Sequence, residues 1–254
     1  MTQYAGKKVV ITGGTTGMGR GIAEALLERG AQVLLTGQDP KRLEETQRAL
    51  GSRAHVVRSD AAKLADIDQL KQEVARKLGR IDALFISAGY CKISLFDEVS
   101  EAEYDRTFGI NTKGPFFTLQ RLAPLLNDGS GVVLITSIAD AVGYPGMSVY
   151  AGTKGALRSF GQGFAAELLP RKIRVNSLSP GFIATPTMGV VESSPAEREA
   201  FVAEGVRATP LGRIGSIEEV ARAALFLAFD ATFTTGTELL LDGGMTQVHL
   251  PTEV

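Results

Sequence analysis

The chain has 254 residues, a formal net charge of −1, and 44% hydrophobic residues. That length bounds one large α/β domain or two small ones, and the apolar share is ordinary for a chain with a sizeable core. The near-neutral balance gives no electrostatic footprint for nucleic acid or an anionic membrane.

One cysteine, Cys91, excludes an intramolecular disulfide and fits a reducing, cytoplasmic setting. His55 and His249 stand far apart with no cysteine cluster, so no metal site is expected. The start, MTQYAGKKVVITGG, lacks the apolar region of a signal peptide, and no apolar run is long enough to span a bilayer. With no repeat, low-complexity tract or linker-like composition shift, one domain over 1–254 is expected.

KVVIT at 8–12 is a short β-branched run that reads as a buried strand. A glycine-rich turn, TGGTTGMG at 12–19, leads into a helix that pairs Ile22 with Leu26 and Ala23 with Leu27 and stops at Gly30. QVLLT at 32–36 is the second strand. The next helix, 40–51, carries Asp39 as N-cap, Pro40 at its first position and Gly51 past its end. HVVRS at 55–59 is a strand, Ile67, Leu70, Val74 and Leu78 mark a helix ending at Gly79, and DALFIS at 82–87 is the fourth strand. Ser100 with Glu103 reads as a capping box opening a helix that runs to about Leu125. GVVLIT at 131–136 is strand five, followed by a long helix to about Leu169. IRVNSL at 173–178 is strand six, Ser216 with Glu219 opens a helix to about Ala228, and TELLLD at 237–242 is the last strand. Strands alternating with helices predict a doubly wound fold: a seven-stranded parallel sheet flanked by helices.

The stretch 137–154 carries the chemistry. Tyr150 and Lys154 are four residues apart, so on a helix they share a face. An ammonium beside a phenol stabilises phenolate and is expected to lower the Tyr150 pKa, which suits a proton donor. Ser137 lies thirteen residues before Tyr150 at the end of a strand, where its hydroxyl can meet the phenol across a cleft. The glycines of the first turn suit close approach to a pyrophosphate at a helix N-terminus, with Thr15 and Thr16 as hydroxyl donors.

Taken together, TGGTTGMG at 12–19, SDA at 59–61, SAG at 87–89, Asn111 in GINTKGPFF, Ser137, Tyr150 with Lys154, and SPGFIATP at 179–186 resemble the classical short-chain dehydrogenase/reductase family along nearly the whole chain. The resemblance implies an NAD(P)-dependent oxidoreductase moving a hydride between nicotinamide and a ketone or secondary alcohol. Its catalytic set is Asn111, Ser137, Tyr150 and Lys154. Tyr150 acts as acid or base, Ser137 bonds the carbonyl oxygen, and Lys154 tunes Tyr150 and holds the nicotinamide ribose. Asn111 binds a water linking Lys154 to solvent. The cofactor contacts it implies are Gly13, Thr15, Thr16, Gly17, Met18, Gly19, Gln38, Asp60, Ala61, Ala88, Gly89, Tyr150, Lys154, Pro180, Gly181, Ile183 and Thr185.

Three departures stand out. The acidic residue that would bind an NAD ribose falls where this chain has Gly37, which favours NADP(H), with Gln38, Thr36 or Arg42 as candidate phosphate contacts. Thr16 replaces the basic residue often found in the glycine turn. The family's N-N-A-G is here Ile86-Ser87-Ala88-Gly89, so both asparagines that usually tie this strand to its neighbours are missing, with Ser87 as a partial substitute. Candidate substrate-pocket residues are Tyr90, Ile93, Ile138, Val142, Tyr144, Phe182 and Met188. This mostly apolar set points to a hydrophobic or cyclic carbonyl, with 186–210 as a lid. The family expectation is a homotetramer with a small-molecule substrate as its other partner. Rival readings are a 3-oxoacyl-(acyl-carrier-protein) reductase, an enoyl reductase, which the Tyr–Lys spacing disfavours, and a non-catalytic cofactor-sensing regulatory protein, which would be expected to lose Tyr150 or Lys154.

Overall fold

The structure is a computed structural model and describes residues 3–187, 190–191 and 194–248. Seven strands, β1 (Lys8–Thr12), β2 (Gln32–Gly37), β3 (Ala54–Arg58), β4 (Ile81–Ile86), β5 (Leu126–Ile135), β6 (Arg174–Pro180) and β7 (Glu238–Leu241), form one sheet in the order β3-β2-β1-β4-β5-β6-β7. Every neighbouring pair is parallel. The order reverses between β1 and β4, which opens a crevice at the carboxyl ends of the strands, where doubly wound folds bind ligands.

The helices are α1 (Gly17–Glu28), α2 (Pro40–Leu50), α3 (Leu64–Lys77), α4 (Glu101–Phe108), α5 (Gly114–Leu122), α6 (Ser148–Leu168), α7 (Pro195–Ala208) and α8 (Ile217–Leu225). The pleat of β1 divides the core. Val9 and Ile11 face a cluster with Ile22 and Leu26 of α1 and Val220 and Ala224 of α8, while Val10 faces Leu70 of α3, Leu119 of α5 and Leu157 of α6. A strand buried on both faces needs the continuous apolar run that 8–12 supplies. The expected caps form: Asp39 accepts from the Arg42 amide, and Ser216 with Glu219 makes a reciprocal capping box.

Three elements differ from the sequence expectation. The helix expected from Ser100 to about Leu125 is continuous in path but not in pitch. Between α4 and α5 lies one π-helical turn, Gly109–Lys113, and Ala123–Leu125 is 3₁₀. The turn brings the chain close beneath Ala61, whose carbonyl oxygen would lie 2.3 Å from a Cβ at Gly114, and Pro115 has no N–H to donate. Secondly, β5 begins at Leu126 rather than near 131. Leu126 pairs with Ile81, and the register then shifts through the exposed Asp128 and Gly129. Its carbonyl accepts from Arg80 and Arg171, which holds the bulged segment in the sheet. Lastly, α8 ends at Leu225 and continues as a π turn, Phe226–Asp230, whose orphan carbonyls are taken by one guanidinium. Arg174 donates to Leu227, Ala228 and Ala231 at 2.6–2.9 Å.

That junction is tight. A Cβ at Gly131 would lie 2.3 Å from the Ala228 carbonyl oxygen and 2.8 Å from its Cα, both backbone atoms that cannot turn aside. Gly131→Ala is therefore expected to destabilise the protein by about 1–3 kcal/mol, read as a lower urea midpoint at unchanged slope. An unchanged midpoint would show that the β5–helix junction can shift.

Candidate active site

The crevice is built from the carboxyl ends of β1, β4, β5 and β6. Gly13 and Gly17 adopt positive φ (68° and 55°), as the turn into α1 requires. A Cβ at Gly13 would sit 2.7 Å from the Ala88 Cα, and one at Gly19 would sit 2.4 Å from the Gly13 carbonyl oxygen, so only glycine lets the turn close against β4 and α1. Thr16 is the N-cap of α1, yet its side chain makes no capping hydrogen bond. The turn is pinned from β2: the Gly13 amide donates to Thr36 Oγ1 and the Gly14 amide to the Thr36 carbonyl. Thr36, named as a candidate phosphate contact, is thus a buried anchor of the turn. Arg42 is exposed on α2, its amide capped by Asp39.

At Gly37 the space beside the backbone is occupied. A Cβ there would lie 2.6 Å from Thr15 Cγ2 and 2.8 Å from Thr15 Oγ1. Gln38 donates to Asp60 Oδ1 at 3.1 Å, and the same oxygen accepts from the Ala62 amide, so this pair closes the outer end of the crevice next to Ala61.

The tie between β1 and β4 comes from a residue the sequence reading passed over. Thr12 Oγ1 accepts from the amides of both Ser87 and Ala88, at 3.1 and 3.2 Å. The missing asparagines are replaced by a threonine on the neighbouring strand, and the Ser87 hydroxyl is not the donor in either bond. The signal was the threonine directly after the apolar run Val9–Ile11.

Asn111 sits in the π turn, fully buried. Its Oδ1 accepts from the Tyr90 amide at 2.8 Å, and its Nδ2 donates to the Tyr90 carbonyl at 2.8 Å and to Thr153 Oγ1 at 3.1 Å. The amide side chain therefore fastens the loop after β4 to α6. Tyr90 is drawn inward by this and is capped by the Arg106 guanidinium, 4.3 Å over its ring.

Lys154 is 4% exposed and donates to the Ile135 carbonyl at 2.9 Å. Its Nζ lies 3.7 Å from where a Cβ at Gly89 would be, as does Asn111 Oδ1, so Gly89 is the small floor beneath both. Tyr150 and Ser137 line the same cavity, with Ser137 Oγ accepting from the Ala139 amide at 3.2 Å. Thr136, the neighbouring hydroxyl, faces away: its Oγ1 donates to the Leu178 carbonyl at 3.0 Å and lies 2.6 Å from Ser179 Oγ. Of the two hydroxyls at the end of β5, the crevice receives Ser137.

The electrostatics correct one expectation. Lys154 does not draw the Tyr150 phenol below its ordinary range. Burial pushes the phenol above it, Cys91 and Asp140 add to the rise, and only the nearby Ser137 hydroxyl opposes them. The reason is geometric: Nζ is 5.5 Å from the Tyr150 ring centroid and directed at Ile135. Burial in turn lowers Lys154 to about 8, against the opposing pull of Cys91 and Asp140. The Cys91 thiol is raised by burial to about 12.

A cavity of about 120 Å³ opens in front of Ser137 and Tyr150. Met18, Cys91, Ile138, Ala139, Tyr144, Met147, Pro180, Phe182, Ile183, Val190 and Phe201 line it, and among the described residues no charged side chain does. Ile138, Tyr144 and Phe182 were expected there. Cys91, Met147, Val190 and Phe201 were not, because each comes from a loop or helix whose approach only the fold sets. Tyr90 and Val142 are not among the lining residues, Ile93 lines an outer chamber beyond Val190 and Phe201, and Met188 lies outside the described residues.

The residues fit a nicotinamide dinucleotide. The Thr185 hydroxyl, beside Gly17, is buried with no hydrogen-bond partner, and the glycines of the first turn line a cradle that side chains would fill. Pro180, Gly181, Ile183 and Met18 complete the wall at the inner end, the Gly181 amide being fixed by the Leu241 carbonyl. Such a crevice, with a phenol, an amine and a hydroxyl at its inner end, defines an α/β oxidoreductase of the dinucleotide-binding kind.

Comparison with known proteins gives the family. Residues 13–246 match a family described as enoyl-(acyl carrier protein) reductase. L-fucose dehydrogenase from Bos taurus is 38% identical over 246 residues, covering 96% of this chain and 90% of that protein. Hydroxynaphthalene reductase-like protein Arp2 from Metarhizium brunneum is 33% identical, covering 94% and 95%. A crystal structure from Brucella melitensis, described as short-chain dehydrogenase/reductase SDR:glucose/ribitol dehydrogenase, superposes with a TM-score of 0.89 at 32% identity, covering 97% and 99%. The chain belongs to the short-chain dehydrogenase/reductase family and is an oxidoreductase acting on CH–OH or carbonyl groups, a family that works with NAD(P).

The buried lysine makes stability depend on pH with a definite sign. Below about pH 8 both folded and unfolded chains hold the Lys154 proton. Between 8 and the ordinary value of 10.5 only the unfolded chain does, so folding gains stability as pH rises through that window. Lys154→Met removes this term. The melting temperature of the variant minus that of the native protein is expected to fall steadily from pH 8 to 10, and a constant difference would mean the amine is not desolvated.

Proposed function

We propose that the protein is an NAD(P)-dependent carbonyl reductase, or secondary-alcohol dehydrogenase, for a hydrophobic cyclic substrate, with Asn111, Ser137, Tyr150 and Lys154 as its catalytic set. The observation that carries this reading is the convergence of Ser137 and Tyr150 on one largely apolar cavity, beside the wall formed by Met18, Pro180, Gly181, Ile183 and Thr185. Bound nicotinamide supplies or accepts the hydride. Tyr150, its pKa raised by burial, stays protonated at neutral pH and gives its proton to the carbonyl oxygen, while Ser137 donates a hydrogen bond to the same oxygen. In the reverse direction the phenol must first lose its proton, so alcohol oxidation rises with pH. Lys154, one turn along α6, holds the nicotinamide ribose and relays the proton. Asn111 fixes the loop carrying Tyr90 and Cys91 and is the anchor for a water leading to solvent.

Two kinds of substrate are named among the relatives, a sugar and a hydroxynaphthalene. Every hydroxyl of a buried sugar needs a partner. Among the described residues the cavity offers the hydroxyls of Ser137, Tyr144, Tyr150 and Thr185, with Thr136 committed to β6, which favours the aromatic or alicyclic class. Pro180, Gly181, Ile183 and Thr185 are the contacts for the nicotinamide end of the cofactor, and Asp60 with Ala61 for the adenine end. NADP(H) is the proposed cofactor, because Thr15 fills the space beside Gly37 where a carboxylate would bond a ribose and repel a phosphate. Residues 186–210, which include α7 and Phe201, are proposed as the substrate lid. Phe116, Phe117, Phe160 and Phe164, clustered and half-buried on α5 and α6, support assembly through those helices into a cytoplasmic homotetramer.

Tyr150→Phe is expected to lower kcat by about 10²–10⁴-fold in a panel of cyclic ketones while leaving the dissociation constant for NADPH within a factor of about three. A near-normal rate would remove Tyr150 from the proposed role. In the same assay KM for NADPH is expected below that for NADH, and the opposite order would return the cofactor to NAD(H).

A further inference from the structure

The turn that follows Ser137 ends in a buried carboxylate that the chemistry above does not use. The Asp140 side chain is 3% exposed, and its Oδ2 accepts from Arg158 Nε at 2.6 Å. The other oxygen, Oδ1, is buried with no hydrogen-bond partner. Arg158 lies one turn beyond Lys154 on α6, so the pair joins the Ser137 turn to the helix that carries Tyr150 and Lys154. The carboxylate also packs on the α6 backbone, its Cβ 3.6 Å and its Oδ2 3.9 Å from where a Cβ at Gly155 would be.

The link extends further. Arg158 Nη1 lies 3.7 Å from Glu238 Oε2 on β7, Glu238 Oε1 accepts from Ser179 Oγ on β6, and Ser179 Oγ lies 2.6 Å from Thr136 Oγ1. Both flanks of Ser137, Thr136 on one side and Asp140 on the other, thus end in one ionic network. A buried carboxylate with one free oxygen costs more than a neutral side chain of the same shape. Packing alone gives no reason for it.

We propose that Asp140 is a positioning residue for the reaction. Through Arg158 it clamps the Ser137 turn to the Tyr150–Lys154 helix, and its second oxygen is left buried and unpartnered on that turn. The inference rests on the reading of Tyr150 as the proton donor. The charged and titratable groups concerned are Cys91 from the loop after β4, Lys154 on α6, Asp140 itself, and Arg158 and Glu238 beyond it. Cys91 and Asp140 both oppose phenolate at Tyr150, and of these only Asp140 is a carboxylate, bound through one oxygen to Arg158 with the other unpartnered.

The test is the pH profile of kcat/KM for oxidation of a cyclic secondary alcohol by NADP⁺, in the native protein, Asp140→Asn and Tyr150→Phe. Asp140→Asn keeps the shape and the hydrogen bond from Arg158 but removes the charge. Its acidic limb is expected about one pH unit lower, giving a rate roughly tenfold above native well below the limb, with KM for the alcohol within about twofold. If Asp140→Asn does not fold, Asp140→Asn/Arg158→Gln leaves neither partner charged, and a smaller shift in the same direction is expected. An inactive Tyr150→Phe with superposable native and Asp140 profiles overturns the proposal and leaves the donor assignment standing. An active Tyr150→Phe overturns the donor assignment and the proposal with it. A loss of kcat in Asp140→Asn at every pH, with no shift of the limb, reduces Asp140 to a structural role and also overturns it.

Discussion

An ammonium that gives a hydrogen bond to the last carbonyl of β5 fixes the geometry of the whole crevice. Lys154 Nζ to Ile135 O joins the middle of α6 to the strand that ends beside Ser137. A desolvated amine is costly unless its donors are met. Here one donor is met by backbone, which leaves the group close to neutral at moderately alkaline pH. Because α6 is held at that distance, Tyr150, one turn earlier, reaches Ser137. Lys154 passes over Gly89, its Nζ at ordinary contact distance, 3.7 Å, from where a Cβ would be. The position of the phenol, the hydroxyl and the floor of the crevice therefore follow from one bond.

A second fastening joins the loop after β4 to α6. The π turn at Gly109–Lys113 turns Asn111 inward, and its amide reads both backbone groups of Tyr90 as if it were a neighbouring strand. A regular helix would carry that side chain to a different azimuth, so the irregularity is what places it. Its further bond to Thr153 closes a ring through α6, the π turn and the loop after β4. Cys91, next in the chain, is thereby set into the cavity wall, where burial keeps it a neutral thiol and a packing residue.

Much of this was legible in the sequence, and the parts that were not share a cause. Strands such as 8–12 and helices such as 217–225 announce themselves because burial on both faces, or a capping box, is a local property. The family motifs likewise fixed the order in which glycines, hydroxyls, phenol and amine enter the crevice. Long-range geometry was not legible. Nothing near Gly114 says that Ala61 lies above it, so the break in the helix through Asn111 could not be read. Nothing near Ser87 says that Thr12 supplies the acceptor that the asparagines would have provided. The pKa of Tyr150 failed for the same reason: an i, i+4 spacing reports that two groups share a helix face, not that burial outweighs their attraction or that a strand carbonyl takes the amine.

The breadth of this family sets a limit on what similarity alone decides, and the cavity wall is where the decision passes to chemistry. A sugar dehydrogenase and a hydroxynaphthalene reductase-like protein lie within five percentage points of identity to this chain (38% and 33%), so identity does not rank their substrates here. The pocket's described lining supports the proposed ring over a sugar. Each hydroxyl of a sugar leaves a strong hydrogen-bonding site in water, and a wall of Met18, Ile138, Met147, Phe182 and Val190 returns nothing for it. An apolar ring loses only its contact with water on entering the same space, and keeps its single carbonyl for Ser137 and Tyr150. In the proposed reading Ser137 and Tyr150 handle the proton, while the apolar wall, contributed largely by loops whose spacing the motifs do not constrain, argues for the ring.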